Sequence, residues 1–267
     1  MAFARRLSAS AVVLVLLSTI SAGAVRAEEV VAFYRATWAG LPAAKIRFMM
    51  RETAADYHGE IAIETEGLAR WLTRFRGSAS VEGSLESGQS ALPRHYGARY
   101  DIRKWRERRV HMRFVAREGA VVAERGKEDT SHKSQLAERF RQNVLDPISA
   151  VASIREALRR EPPKLGQQFT VPVYDGARRF DVAASVAAIG GEDGLIHLRL
   201  MLRPIAGFKG ESSDEGDPDD APRPADVTMT NDGRFLLDAL TVRVVFLPFT
   251  VRLDHLCASF ATCGAEP

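Results

Sequence analysis

The sequence predicts a mainly β protein, a curved antiparallel sheet or half-barrel that wraps one main helix. Apolar residues alternate with polar ones along most of the chain, as in Ile61-Ala62-Ile63 and Ile196 to Leu200. This period of two is typical of antiparallel strands with one buried and one wet face. Turn dipeptides such as Glu118-Gly119 and Asp232-Gly233 separate about ten such segments, a number that favours a barrel or strongly curved sheet.

The first 27 residues have the three parts of a cleavable secretory signal. Arg5 and Arg6 form a positive start, an apolar run of about a dozen residues follows, and Val25-Arg26-Ala27 supplies small residues for cleavage. The run is shorter than the roughly 20 residues of a spanning helix, although an uncleaved anchor is the alternative. We therefore expect residues 28–267 to form one β-rich domain in a bacterial periplasm.

Removal of the signal leaves a chain with balanced charge. The whole sequence has 37 Lys and Arg against 34 Asp and Glu, and residues 1–27 contain three arginines and no acid, which leaves 34 of each. A basic footprint for nucleic acid is therefore absent from the mature chain.

The segment 68–75 has the spacing of a short amphipathic helix. Its apolar stripe, lined by arginines, consists of Leu68, Trp71, Leu72 and Phe75. This composition suits either a lid packed on a sheet or a helix at a membrane interface. The stretch 94–117 holds nine Lys and Arg with interleaved aromatic residues, which indicates either a hairpin with cationic outer faces or contact with an anionic membrane surface.

The main helix is predicted to begin at Asp146-Pro147. Asp146 is suited to cap the helix and Pro147 to occupy its first turn. Helical spacing follows at Ile148, Val151 and Ile154, and the sequence after Arg160 contains two prolines that end it. Ser149 raises the alternative of a nucleophile, but no Gly-x-Ser-x-Gly elbow surrounds it.

Two further segments carry local signals. Residues 210–224 are rich in acids, Gly and Pro and should form a disordered loop, since the spacing of a calcium-binding EF-hand is missing. Cys257 and Cys263 are the only cysteines, and we expect a disulfide between them in an oxidising compartment, with a redox pair as the alternative. Six scattered histidines show no metal-ligand spacing, and no cofactor motif is present.

Several of these features together resemble a bacterial envelope family, domain of unknown function 3108. The pieces that carry the resemblance are Tyr34-x-Ala36-x-Trp38-Ala39-Gly40-Leu41-Pro42-Ala43-Ala44, Gly67-Leu68-x-x-Trp71-Leu72, Leu92-Pro93-x-x-Tyr96, Asp146-Pro147-x-Ser149-Ala150 and Tyr174-Asp175-Gly176-x-Arg178-Arg179-Phe180. The resemblance implies a periplasmic β fold similar to the half-barrel of the lipoprotein carriers LolA and LolB, which hold acyl chains in an apolar cavity. The acidic loop and the cysteine pair are departures from this pattern.

From these observations we expect a non-enzymatic envelope protein that binds an apolar or amphiphilic ligand, or a lipidated partner, inside the sheet. The candidate cavity or lid residues are Leu68, Trp71, Leu72, Phe75, Ile148, Val151 and Ile154. The alternative is a scaffold that binds envelope proteins through its outer face and has a filled core. A hydrolase comes third, because spacing assembles no nucleophile, base and orienting group.

Overall fold

The structure, a computed structural model, describes residues 28–72, 74–85, 91–102, 105–130, 135–191, 193–208, 221–244, 246–257, 259 and 263. The predicted signal and most of the acidic loop lie outside these residues. The strands are β1 (Glu28–Trp38), β2 (Leu41–Glu52), β3 (Asp56–Thr65), β4 (Arg76–Leu85), β5 (Ala91–Ile102), β6 (Trp105–Arg117), β7 (Ala120–Arg125), β8 (Gln168–Tyr174), β9 (Arg179–Ile189), β10 (Ile196–Ala206), β11 (Arg223–Met229), β12 (Leu237–Val244) and β13 (Leu247–Cys257). The two α-helices are α1 (Gly67–Leu72) and α2 (Pro147–Arg160).

All thirteen strands form one antiparallel sheet, in the order β7-β6-β5-β4-β3-β2-β1-β13-β12-β11-β10-β9-β8. Strand β1 pairs with both β2 and β13, so the first and last strands lie side by side in the middle of the sheet. The mainly β prediction is confirmed. Arg223 and Pro224, which were predicted to lie in the disordered acidic loop, belong instead to β11.

The two edge strands of the sheet, β7 and β8, are joined by the segment 141–145. On one side, the amide of Ala123 donates to the carbonyl of Arg141 over 3.0 Å, and Asn143 N donates to Val121 O over 2.7 Å. On the other side, Leu145 N donates to Pro172 O and Tyr174 N donates to Leu145 O, both over 2.8 Å. This segment therefore satisfies backbone groups of both edges and completes a barrel-like wall.

Helix α2 begins where the closing segment ends. The carboxylate of Asp146 accepts hydrogen bonds from the amides of Ile148 and Ser149, over 2.9 and 3.0 Å, and Pro147 occupies the first turn, as predicted. The helix lies on the concave side of the sheet. A Cβ at Gly59 on β3 would lie 2.6 Å from Cγ2 of Ile148, so glycine is needed there for the close approach.

The two ends of the barrel differ. The end that we call the mouth carries the β1–β2 turn, the β12–β13 turn and α1. The end that we call the base carries Glu28, Glu52 and the turn of residues 230–236, and the C-terminal half of α2 contacts it through Arg155 and Arg159. The base is therefore closed by the helix, whereas no described helix crosses the mouth.

The remaining features concern the termini and the membrane. Cys257 at the end of β13 forms a disulfide with Cys263, as predicted. Of the helices that the structure describes, none has the length and apolar character required to cross a bilayer.

Candidate functional site

The inner face of the barrel is buried near the base and, along several strands, partly exposed toward the mouth, although Ala36 and Ala44 stay buried there. On β2, Met50 is buried, whereas Phe48 and Ile46, the next two inner residues toward the mouth, are partly exposed. We call the inner side of the wall above α2, with its partly exposed apolar residues, the lumen. The partly exposed residues that line its wall are Ile46, Phe48, Ile61, Ile63, Ala79, Ala98, Val182, Leu200, Leu240 and Phe249.

Helix α2 provides the floor of the lumen. Val151 remains 40% exposed although the residues on either side of it, Ala150 and Ala152, are buried. Ile154 is partly exposed and packs, like Leu200 and Leu240, against the buried cluster that contains Leu158. The face with Val151 and Ile154 therefore turns toward the lumen. Ile148 does not, since it is buried beneath the floor with Met50 and Tyr57.

Exposed apolar side chains line the part of the mouth formed by β12, β13 and β1 to β4, and we call them the rim. They come from three separate chain segments and are Trp38, Leu41, Leu68, Trp71, Phe246 and Leu247. The amide of Ala39 donates to Pro248 O over 2.8 Å and thereby joins the two turns of the rim. Glu66 N donates to Ala43 O over 2.9 Å and holds α1 beside the start of β2.

Leu68 and Trp71 were expected to line the cavity or cover it as a lid, and the structure places them at the rim instead. Their side chains are 64% and 79% exposed, because α1 has only six residues and a tight connection holds it at the sheet end. Gly67 makes this connection at φ +56°, and a Cβ there would lie 2.6 Å from Pro42 O. Phe75 is partly buried with its ring against Gly77, and the side chain of Leu72 lies outside the described residues.

Sequence reasoning missed the other rim residues. Both turns that carry them are apolar, with Trp38-Ala39-Gly40-Leu41 in one and Phe246-Leu247 in the other. Turns are usually built from Gly, Asn, Asp, Ser and Pro. Large apolar residues at such positions are therefore the signal that could have identified the rim.

Polar contacts anchor α2 at the base. Arg155, which is almost fully buried, donates from Nη1 to Glu52 over 2.8 Å and from Nε to the carbonyl of Arg234 over 2.9 Å. Arg159 contacts the other oxygen of Glu52 over 2.6 Å and Glu28 over 3.4 Å. Burial lowers the pKa of Arg155, while Glu52 opposes that shift. These contacts fix the helix under the lumen.

A second buried polar group lies at the start of α2. Tyr57 Oη and Ser149 Oγ are 2.6 Å apart, and Ser149 Oγ donates to Asp146. Burial raises the pKa of Asp146, against the hydrogen bonds that it accepts from Ser149 and Ile148. Asp146 and Ser149 are fully buried, so a substrate does not reach this hydroxyl in the observed conformation. The geometry is that of a helix cap.

The outer face of the sheet carries a groove of about 750 Å³ that crosses β13 and β1 to β5. Charged side chains dominate its walls, including a pair of Arg35 with Asp254 at 3.0 Å and a pair of Arg76 with Glu64 at 2.7 Å. In the basic stretch 94–117, Arg94 pairs with Asp56 and Arg117 with Glu124. The walls of the groove thus carry paired charges, whereas the residues named for the lumen are apolar.

The residues that the structure describes contain no group of three or more His, Cys, Asp and Glu side chains placed to hold a metal ion.

Comparisons with known proteins give a family and one solved structure. Residues 34–189 match the family model described as "Protein of unknown function (DUF3108)". The chain is also similar to a Brucella abortus structure described as a beta-barrel-like protein of domain of unknown function DUF1849. That match has 10% sequence identity and a TM-score of 0.49, and it covers 87% of this chain and 98% of the other. A search of curated proteins finds no match.

Proposed function

The chain belongs to the DUF3108 family of proteins of unknown function, and from this premise we propose that it is a non-enzymatic binding protein of the bacterial periplasm. It holds the hydrocarbon part of an amphiphile, or of a lipid-modified partner, in the lumen. In this role it resembles the lipoprotein carriers LolA and LolB. The disulfide of Cys257 with Cys263 and the signal expected in residues 1–27 support an oxidising compartment outside the cytoplasm.

One observation carries this proposal, namely the exposed apolar lining of the lumen. Soluble domains bury the inner faces of their sheets, and large apolar surfaces left in contact with water mark binding sites. The lining is aliphatic and aromatic, and α2 contributes Val151 and Ile154 to it. A hydrocarbon chain that displaces water from such a surface gains about 0.8 kcal/mol for each buried CH₂ group.

The test is binding of a dansyl-labelled undecanoic acid to the mature protein. Val151→Glu places a carboxylate on the floor of the lumen, where an entering hydrocarbon would have to desolvate it. We expect the affinity to fall by more than roughly tenfold. Val151 is 40% exposed, so the substitution should leave the fold intact.

A matched control is available at the base of the barrel. Ile189, at the end of β9, is 39% exposed and lies far from the mouth. Ile189→Glu introduces the same charge at the same exposure and should bind the probe like the wild type. Absence of saturable binding by a folded wild type, or equal losses in both variants, would contradict the proposal.

A scaffold that binds other envelope proteins is the second candidate, and the outer groove favours it. Ionic side chains such as Arg35, Asp254, Arg76 and Glu64 suit a polar protein surface better than a hydrocarbon chain. If the protein is a scaffold, the mature wild type should bind an envelope protein even though it does not bind the fatty acid. Charge reversal at Arg35 should then abolish this binding, while Val151→Glu should leave it unchanged.

A further inference from the structure

We propose that the rim is a docking surface for an anionic lipid bilayer, so that the mouth of the barrel opens onto the membrane. This inference rests on the proposed lipid-binding function and adds the place where the ligand is exchanged. The rim brings together six large apolar side chains that are all exposed and that belong to separate turns and one short helix.

The arrangement of these side chains favours a bilayer over a folded protein partner. Trp38 and Leu41 lie at one hairpin, Phe246 and Leu247 at the next, and Trp71 on α1. They lie at the ends of two hairpins and on one short helix, in separate places rather than in one continuous patch of the kind that partner proteins cover. Exposed Trp and Leu side chains on such tips are suited to insert among lipid headgroups, where tryptophan is enriched.

Cationic side chains around the rim supply charge complementarity. Arg70 and Arg74 flank the exposed Trp71 on α1, and Lys45 and Arg243 are exposed on neighbouring strands. Acidic residues lie at this end too: Glu64 is paired with Arg76 at 2.7 Å, Glu66 directly precedes α1, and the acidic segment 210–220 connects β10 and β11 on the same side. Each basic side chain near an anionic surface strengthens binding, and salt weakens this attraction.

The position of the rim gives the docking a function. Because the rim lies along one side of the mouth, a barrel seated on a bilayer would present the lumen to the acyl chains. A chain could then pass into the lumen between Trp71 and the β12–β13 turn without crossing water. The base, closed by α2 and the pair of Arg155 with Glu52, would face away from the membrane.

The test is sedimentation of the mature protein with vesicles of phosphatidylcholine alone or of equal parts phosphatidylcholine and phosphatidylglycerol. We expect binding to the anionic vesicles only, with a blue shift of tryptophan emission. Leu68→Ala should weaken this binding roughly tenfold. Leu165→Ala is the matched control, because Leu165 is 74% exposed in the connection between α2 and β8, at the base, and should bind like the wild type.

Arg70→Glu together with Arg74→Glu should weaken the binding by at least about tenfold and reduce its dependence on salt. Failure of the wild type to bind anionic vesicles would overturn the docking proposal, as would equal losses in Leu68→Ala and Leu165→Ala. Fatty-acid binding without vesicles separates the two proposals, because Leu68→Ala should leave it unchanged. A protein that binds vesicles through Leu68 but takes up no fatty acid would retain the docking surface and lose the proposed function.

Discussion

Arg155 on α2 and Glu52 at the end of β2 form a buried ion pair of 2.8 Å, although 103 residues separate them in the sequence. The pair links the helix to the base of the barrel and closes the end opposite to the mouth. Arg155 Nη2 is buried without a hydrogen-bond partner, so one nitrogen of the guanidinium makes no hydrogen bond within the pair or beside it. It nevertheless sets the height of α2 in the barrel and hence the depth of the lumen.

The first prediction concerns this pair. Glu52→Ala leaves the guanidinium of Arg155 buried without its counter-charge and should lower the free energy of unfolding by about 3–5 kcal/mol. The control is Arg94→Ala, which breaks an exposed pair with Asp56 and should cost less than about 1 kcal/mol. Urea unfolding followed by circular dichroism measures both values. Similar costs in the two variants would show that the Glu52 contact does not hold the helix.

A pH dependence is expected from Asp146, whose pKa burial raises above the ordinary value of 3.8. As the pH rises past about 3.8, the unfolded chain releases this proton before the folded protein does. The contribution of Asp146 to the free energy of unfolding therefore falls until the pH exceeds the raised pKa, and is constant above it. Asp146→Asn keeps a capping side chain and lacks this proton. The stability of the wild type relative to Asp146→Asn should decrease as the pH rises from 3.8 to the raised pKa of Asp146, and parallel curves would contradict this.

The sequence alone predicted the strands and the start of α2, because both depend on local patterns. Alternation over Ile61-Ala62-Ile63 follows from the geometry of one strand, and Asp146-Pro147 satisfies one helix terminus. Closure of the barrel by residues 141–145 had no such signal. Those residues bridge β7 and β8 through backbone hydrogen bonds, which leave little trace in side-chain identity.

The site was predictable only in part. Val151 and Ile154 were recognised from helical spacing, but spacing does not show that α2 leaves one of its faces uncovered. Trp71 was expected to line or cover the cavity because an amphipathic stripe normally packs on a sheet. Trp71 is exposed instead, because α1 is short and the connection at Gly67 holds it at the end of the sheet. Both features follow from the pairing of β3 with β4. Strand pairing over long distances is what sequence patterns specify least.

The disulfide gives a third prediction. Replacement of Cys257 and Cys263 by serine should lower the free energy of unfolding by at most about 2–3 kcal/mol, because the ring spans few residues. The wild type, denatured without reductant, should show no free thiol. Two titratable thiols would contradict the pairing, and loss of folding in the serine variant would show that the ring does more than fasten the end of β13.

The acidic loop gives a fourth prediction. Residues 210–220 contain no apolar side chain to offset the entropy of ordering them. Deletion of these residues with a glycine linker, which keeps the described ends of β10 and β11, should change the melting temperature by only a few degrees. Calcium should not alter the melting temperature of the wild type. Collapse of the deleted form, or strong stabilisation by calcium, would reveal a structural site.

The last prediction uses two neighbouring residues of β4 that point to opposite faces of the sheet. Ala79 lies on the inner face and is partly exposed in the lumen, whereas Ser80 is exposed on the outer face. Ala79→Trp should fill part of the lumen without a large cost in stability, since Ala79 is only partly buried. We expect it to weaken binding of a sixteen-carbon fatty acid far more than binding of an eight-carbon one, because the longer chain needs more of the filled space.

Ser80→Trp adds the same side chain one residue along and should leave both affinities unchanged, because successive side chains in a strand point to opposite faces. Isothermal titration of the two acids into each variant gives the comparison. Since both Ala79 and Ser80 line an outer cleft that adjoins the groove, a loss of binding in Ser80→Trp, alone or together with Ala79→Trp, would move the binding site to the outer face. If Ala79→Trp binds each of the two acids with the same affinity as the wild type does, the hydrocarbon does not lie in the lumen.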